Sequence, residues 1–389
     1  MQLFDDAMRR DPYPVYARLR TASPIFHVEA ADVWMLLDHA SVKRALHDQE
    51  VFSSAVGASR GLSFEWLMFM DPPRHTKLRA IINRAFTSRS IAALEPRIRE
   101  IARGLVADVV ARGTVDLEAT LAAPLPMMVI AELLGLPVDD WRRLVGWSQA
   151  IMRLADTIIG RAADAQAASA AFIRADAEMR EYLRELVAAR RARPADDLLT
   201  RLVTAEIDGE RLTDLELVRF FELLLAAGTE TTTNLIDNAI VCLIDAPDQL
   251  VRLHADASLV PSAIEEVLRL RSPAQAVFRA TKQAVEMHGV TIPAGKLVLP
   301  MLGSANRDPS AFAEPDRFDI GRDPNPHVAF GHGIHFCLGA PLSRLEARVA
   351  LEELLPRVRA IEYAQDVAWP PRAPFHVHGP ASLAVRLTR

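Results

Sequence analysis

The stretch Phe330–Arg348, FGHGIHFCLGAPLSRLEAR, decides how the rest of the chain is read. It sets a single cysteine, Cys337, among Gly331, Gly333 and Gly339, directly before a segment with helical periodicity. Glycine is costly in a chain unless the backbone must turn sharply or approach something closely. Pro341 suits the first turn of a helix, where its missing N–H is not needed, and Leu342, Leu345 and Val349 form one apolar stripe. The unpaired amides and positive dipole end of that helix point back at the sulfur and favour a thiolate. Local chemistry leaves four readings open. They are a buried structural thiol, a zinc site with His332 and His335, a nucleophile with a histidine base, and an axial thiolate ligand for a flat cofactor such as haem.

Composition narrows the setting. Half of the 389 residues are apolar, so a large core is available, and the net charge of -5 offers no basic field for nucleic acid. The only cysteines are Cys242, inside an apolar run, and Cys337, which argues against a disulfide framework. The start, MQLFDDAMRRDPYP, lacks the apolar core of a secretory signal, and no run reaches the roughly 18 apolar residues of a membrane span. The expectation is a cytoplasmic protein without a membrane anchor.

Away from the cysteine, PIFHVEAADVWMLLD (24–38) reads as a small hairpin. From Asp71 to Asp245 the pattern is helical, punctuated at Pro137 and Pro194, with an alanine-rich surface helix or connector at Gly160–Ala171. Pro273–Pro300 has β-branched runs split by HG and PAG turns and predicts a short sheet. A long irregular stretch leads to the cysteine, and HVHGPASLAVRL (376–387) reads as a closing strand. There is no internal repeat.

Three further stretches carry chemistry. LVRFFELLLAAGTETTTNLIDNAIVCLID (217–245) reads as one long buried helix entered through a capping box of Thr213 and Glu216. Inside it, AAGTETTT combines a weak helix former, Gly228, with threonines able to bond back to carbonyls one turn earlier, which predicts local widening. Glu230 and Thr231 put an acid and an alcohol side by side in an apolar span, where a carboxylate is costly unless hydrated or paired. PSAIEEVLRL places Glu266 and Arg269 on one helix face, and EPDRF follows with Arg317. DPPRHTKLR places His75 and Arg79 one turn apart.

Taken together, these motifs resemble the cytochrome P450 monooxygenases. FGHGIHFCLG is similar to the family's haem-binding loop, AGTET to its oxygen-binding signature and EVLR to its E-x-x-R helix, in the family's order from Asp71 to Arg348. The resemblance covers essentially the whole chain and implies a mainly α cytochrome P450 fold: a large helical domain with a smaller β-containing region, and haem buried between the long central helix and the Cys-loop helix. It implies one domain over residues 1–389. By the same resemblance, Cys337 ligates the iron of haem b, Phe330, Gly331, Gly339, Ala227 and Gly228 line the haem, and His75, Arg79, Arg279 and His335 hold its propionates. Thr231 would bond iron-bound dioxygen and Glu230 would relay protons. Glu266, Arg269 and Arg317 would form a buried ion-pair set supporting the Cys loop, although Asp316 stands where glutamate is common.

The implied activity is a haem-thiolate monooxygenase that hydroxylates or epoxidises a lipophilic small molecule such as a fatty acid, terpenoid, steroid or macrolide. The alternatives are a peroxide-driven peroxygenase, which in this family usually replaces the acid and threonine, and a haem sensor without turnover. No flavin, iron-sulfur or nicotinamide motif occurs in the chain, so electrons would come from NAD(P)H through ferredoxin and its reductase, or a flavodoxin-type donor, to a monomeric enzyme. Arg74, Lys77, Arg344 and Arg348 are candidates for a basic patch that attracts such a donor. GLSFEWLMFM (61–70) is the candidate substrate loop; core packing is its competing reading.

Overall fold

The computed structural model describes residues 6–56, 65–137, 140–153, 162–365 and 369–389. In chain order the elements that position the site begin with β1 (Ile25–Val28), β2 (Val33–Leu36), α1 (His39–His47), β3 (Phe52–Ser53), α2 (Arg74–Ala85), α3 (Glu95–Arg112) and β4 (Thr114–Asp116). There follow α4 (Trp141–Arg153), α5 (Ala162–Ala192), α6 (Asp214–Asp245), α7 (Val260–Leu270), β5 (Arg279–Thr281) and β6 (Leu297–Pro300). The last are α8 (Ala340–Leu354), β7 (Ala360–Tyr363) and β8 (Ala384–Thr388). The architecture is mainly α, and its packing falls into two groups of segments.

The first group comprises Met1–Ser53, Glu95–Leu125 and Thr231–Arg389. Its larger sheet has the order β1-β2-β6-β5-β3, with β2 and β6 parallel and the other neighbours antiparallel. The predicted N-terminal hairpin is β1–β2, with Ile25 opposite Leu36. In the predicted 273–300 sheet region, Val285–Met287 pairs with Val290–Ile292 across His288 and Gly289, both at positive φ (51° and 73°). That backbone matches the right-handed strand twist, which is why an HG pair serves there. Ile25, Leu36, Val42, Leu46, Phe52 and Val298 join sheet and α1 in one apolar cluster. The closing strand is β8, in a second, antiparallel sheet of order β7-β8-β4. Helix α8 packs along α3 and against α7.

The second group comprises Ser54–Leu94 and Pro126–Glu230. Here α4 packs on α5, with Trp147 edge-on to Tyr182 at 5.4 Å and to Phe221 at 6.3 Å. Helix α2 packs on the short helix Leu198–Thr204. The alanine-rich stretch is helical from Ala162 and is a surface helix, with Gln166, Ala167 and Ala170 exposed and Ala168 buried; Gly160 and Arg161 lie outside the described residues.

Helix α6 begins at the predicted capping box. Glu216 N–H donates to Thr213 Oγ1 (3.2 Å) and Thr213 N–H to Glu216 Oε2 (2.9 Å). The predicted widening around Gly228 does not occur, and α6 stays α-helical from Asp214 to Asp245. Thr229 does bond back to the Leu225 carbonyl (2.6 Å), but its hydroxyl is also held by Ser148 Oγ at 3.1 Å, so the bond sits beside the helical ladder without opening it.

Candidate active site

The cysteine loop is built by backbone that only glycine adopts freely. Gly331 and Gly333 have φ of 75° and 74°, and a Cβ on Gly333 would stand 2.8 Å from the Leu46 carbonyl at the end of α1. The loop closes on itself. Cys337 N–H donates to the Phe330 carbonyl (2.9 Å), Phe336 N–H to Gly333 (3.0 Å) and Gly331 N–H to Val328 (2.8 Å). Cys337 is half-buried, and a Cβ on Gly339 would lie 3.9 Å from its sulfur. The thiol therefore stands at the start of α8, beside the amides the helix leaves unpaired.

Behind the loop, Arg344 of α8 lies 4.5 Å over the Phe330 ring and donates Nε and Nη2 to the two oxygens of Glu265 on α7, at 2.6 and 2.7 Å. His327 Nε2 lies 3.0 Å from the same carboxylate. Burial alone would raise the Glu265 pKa, but Arg344 and then His327 outweigh it and hold the carboxyl at about 2. The sequence reading missed Glu265 because it is one of two adjacent glutamates and nothing local distinguishes its role from that of Glu266.

Glu266 and Arg269 have no side-chain exposure and bond through Nε and Nη2 at 2.8 Å each. Arg269 also donates to the carbonyls of Asn306 (2.9 Å), Pro315 (2.6 Å) and Arg317 (3.0 Å). The expectation for Arg317 needs correction. Its main-chain carbonyl joins the set, while its guanidinium pairs with Glu314 (3.0 Å) and is 57% exposed. The side chain that completes the pair is Arg322, Nε to both Glu266 oxygens at 3.1 Å, joined by Asn325 Nδ2 at 3.2 Å. A turn of the chain after Arg317 carries its side chain outward, and five residues later the chain returns. Sequence spacing alone did not reveal that return.

On α6, most of the C-terminal half is fully buried, yet Ala227 is exposed and Leu223, Leu224, Gly228, Glu230 and Thr231 are half-buried. At helical spacing these residues share one accessible face, apolar at one end and ending in the acid and alcohol. The neighbouring threonines are engaged elsewhere: Thr229 as above, and Thr232 with Ser343 Oγ of α8 at 3.1 Å. Gly228 is needed for packing, because a Cβ there would meet Ile130 Cδ1 at 2.8 Å.

The expected propionate partners fall in both groups of segments. In one, His75 is buried on α2 with Arg79 half-buried one turn on. In the other, Arg279 of β5 is 5% exposed and donates to the Phe278 carbonyl (2.8 Å), and His335 is half-buried in the cysteine loop. The donor set suits haem. Within the first group it offers one thiol at a helix start, with the buried Arg279 and the half-buried His335 as cationic or imidazole groups for anionic substituents. It does not suit zinc, since among the described residues no three His, Cys, Asp or Glu side chains converge, and His332 instead stands 5.7 Å from His47.

The predicted basic patch is altered by its neighbours. Arg74 pairs with Glu210 and Glu216, Lys77 with Glu210, Arg344 with Glu265, and Arg348 with Glu95 and Glu352, so each of these charges is locally compensated. Of the candidate substrate loop, Gly61–Phe64 lies outside the described residues. Trp66 is clamped by Phe69 (6.0 Å, stacked), by Phe172 (6.2 Å, edge-on) and by a hydrogen bond from Nε1 to Glu222 (2.8 Å). Glu222 is fully buried, and burial, with Asp176 hydrogen-bonded to it, pushes its pKa up to about 7 against the opposing pull of Arg219 and Trp66. No helix among the described residues is long and apolar enough to cross a membrane.

Comparison with known proteins supports the same assignment. The family model described as Cytochrome P450 matches residues 21–260 and 254–374. Cytochrome P450 109 of Bacillus spizizenii is 40% identical over 100% of this chain and 94% of its own length. The cyclomarin C epoxidase CymV of Salinispora arenicola is 41% identical over 91% of this chain and 88% of its own. Among solved structures, CYP109E1 from Bacillus megaterium in complex with testosterone superposes with a TM-score of 0.88 at 38% identity, covering 97% of this chain and 99% of that one.

Proposed function

The chain belongs to the cytochrome P450 family and is a monooxygenase of that family; we propose that it takes electrons from a separate redox protein to oxygenate a lipophilic small molecule. The observation that carries this reading is the Cys337 thiol beside Gly339 at the start of α8, in a loop whose turns Gly331 and Gly333 make at positive φ. When bound, haem supplies the binding and activation of dioxygen.

The chain's own residues do the rest. Cys337 would ligate the iron, its thiolate favoured by the α8 N-terminus. His75, Arg79, Arg279 and His335 would pair with the two propionates. Phe330, Gly331, Gly339, Ala227 and Gly228 would line the ring. Leu223, Leu224 and Ala227 present an apolar face that excludes water and takes a lipophilic substrate. Thr231 would hold a proton at its hydroxyl, and Glu230 would exchange protons with water and return them to that hydroxyl. Keeping both groups favours dioxygen with external electrons over a peroxide-driven reaction. The chain carries no flavin or nicotinamide motif, and Cys242 and Cys337 are too few to hold an iron–sulfur cluster, which supports NAD(P)H-derived electrons delivered by ferredoxin or a flavodoxin-type carrier in the cytoplasm. The relatives named for cyclomarin C and solved with testosterone support a large, lipophilic substrate.

The test is the ferrous carbon-monoxide difference spectrum of the purified protein and of Cys337→Ala. A strongly red-shifted Soret band lost in the variant supports the thiolate ligand. A folded, haem-supplied protein without that band excludes the reading. Spin-state titration with testosterone and a long-chain fatty acid then tests the substrate class.

A further inference from the structure

Two turns beyond Glu230, α6 buries a second acid. Asp237 has no solvent exposure, and among the described residues neither of its oxygens has a hydrogen-bond partner. Burying an acid this way costs stability, so its presence calls for a use. Its neighbours on the helix are short of partners too: Asn234 Nδ2 and Asn238 Oδ1 are buried and unpaired. Glu230, Asn234 and Asp237 stand at i, i+4 and i+7, so they lie along one face of α6.

That face is hydrogen-bonded to a partly exposed ion pair. Arg372 donates Nε to Asn234 Oδ1 (3.1 Å) and Nη2 to Glu118 Oε1 (2.7 Å), and the Arg372 and Glu118 side chains are 18% and 15% exposed. The C-terminal segment packs tightly enough there that a Cβ on Gly379 would stand 2.4 Å from Asn234 Oδ1. Asn238 is fixed by donating Nδ2 to the carbonyls of Arg271 (3.0 Å) and His378 (2.9 Å). The other nearby acid, Asp116, is engaged by Ser382 and the Leu383 amide.

We propose that Asp237 is a neutral carboxylic acid that supplies protons to Glu230 from within α6, refilled from solvent at the Glu118–Arg372 pair. This rests on the monooxygenase reading above. In one cycle the Asp237 O–H bond breaks, its proton passes through water bound at Asn234 to the Glu230 carboxylate, and a new O–H bond forms there. Asp237 becomes a carboxylate within the field of Arg372 until a hydronium ion entering beside Glu118 restores it. One proton moves inward, and no electrons change hands. The unpaired atoms of Asn234 and Asn238 are the groups that would anchor such water, which needs polar partners to stay in an apolar core. Burial raises the Asp237 pKa well above the usual range, Arg372 opposes this, and Glu118 and Asp116 add to it, which agrees with a neutral acid.

The test has two readouts. The infrared difference between wild type and Asp237→Asn, taken on the haem-loaded proteins in H2O and D2O, should show a protonated carboxyl stretch that shifts on deuteration, since the bands of the other buried acids, Glu222 and Glu346, cancel in that difference. With NADH-fed ferredoxin and reductase, and dioxygen as the only added acceptor, Asp237→Asn should slow oxygen uptake about tenfold, below the roughly hundredfold minimum typical of a sole proton donor because Glu230 remains. Its solvent isotope effect should rise, and Glu118→Gln should reproduce both changes if Asp237→Asn folds poorly. Absence of the carboxyl band, or unchanged uptake and isotope effect in both variants, overturns the proposal alone. A wild type with the thiolate band that takes up no oxygen overturns it together with the monooxygenase reading.

Discussion

Arg322 donates Nε to both oxygens of Glu266 at 3.1 Å, and its guanidinium also reaches the carbonyls of Ala313 (2.8 Å), Glu314 and Arg317 (3.2 Å each). One side chain thus neutralises a fully buried carboxylate and ties down the meander that leads to the cysteine loop.

The consequence separates two arginines five residues apart. Arg322→Ala leaves Glu266 with one cationic partner and should destabilise the protein by about 3 kcal/mol, as loss of one partner of a buried pair does. Arg317→Ala, which removes an exposed pair with Glu314 and keeps the carbonyl that Arg269 uses, should cost less than about 0.5 kcal/mol. Urea unfolding of the two variants decides between them.

Glu265 predicts an acid transition. Its folded pKa of about 2 lies below the ordinary 4.5, so the stability it contributes is present above 4.5 and is lost as pH falls toward 2. With the pair a third exposed, that contribution is about 2 kcal/mol after screening. Glu265→Gln should flatten this part of the stability profile between pH 5 and 2, and retention of the wild-type slope would remove Glu265 from the account.

Glu222 predicts a change of opposite sign nearer neutrality. Its pKa is raised to about 7 from 4.5, so its contribution is complete below 4.5 and disappears as pH rises through 7. Because Trp66 Nε1 bonds to this carboxyl, the fluorescence of Trp66 should titrate near pH 7. The signal, taken as the difference between wild type and Trp66→Phe, should vanish in Glu222→Gln.

Two glycines predict opposite outcomes on alanine substitution. Gly333→Ala places a Cβ against the Leu46 carbonyl at positive φ, and should cost about 2 kcal/mol and lower the fraction of thiolate-ligated haem in the carbon-monoxide spectrum. Gly104→Ala, on an exposed face of α3 with open space around it, should raise stability by up to about 1 kcal/mol.

The parts of the fold and site that were legible in the sequence are those whose chemistry is contiguous. The Cys337 loop, the Glu266–Arg269 turn and the Thr213–Glu216 cap each sit within a few residues, where helix geometry and glycine's backbone freedom alone bring the groups together. The HG hairpin and the β1–β2 pair were legible for the same reason.

What only the tertiary structure decided is which distant groups meet. Arg322 rather than Arg317 reaches Glu266, Glu265 gathers Arg344 and His327 behind the Phe330 ring, and four expected surface cations are paired with glutamates from other elements. Asp237 reads in sequence as one more polar residue within a long helix, and only its complete burial, with no hydrogen-bond partner among the described residues, sets it apart. The reason is physical: backbone periodicity sets side-chain direction over one or two turns, whereas charge pairing and desolvation depend on where the chain returns after long, irregular paths that local propensity does not encode.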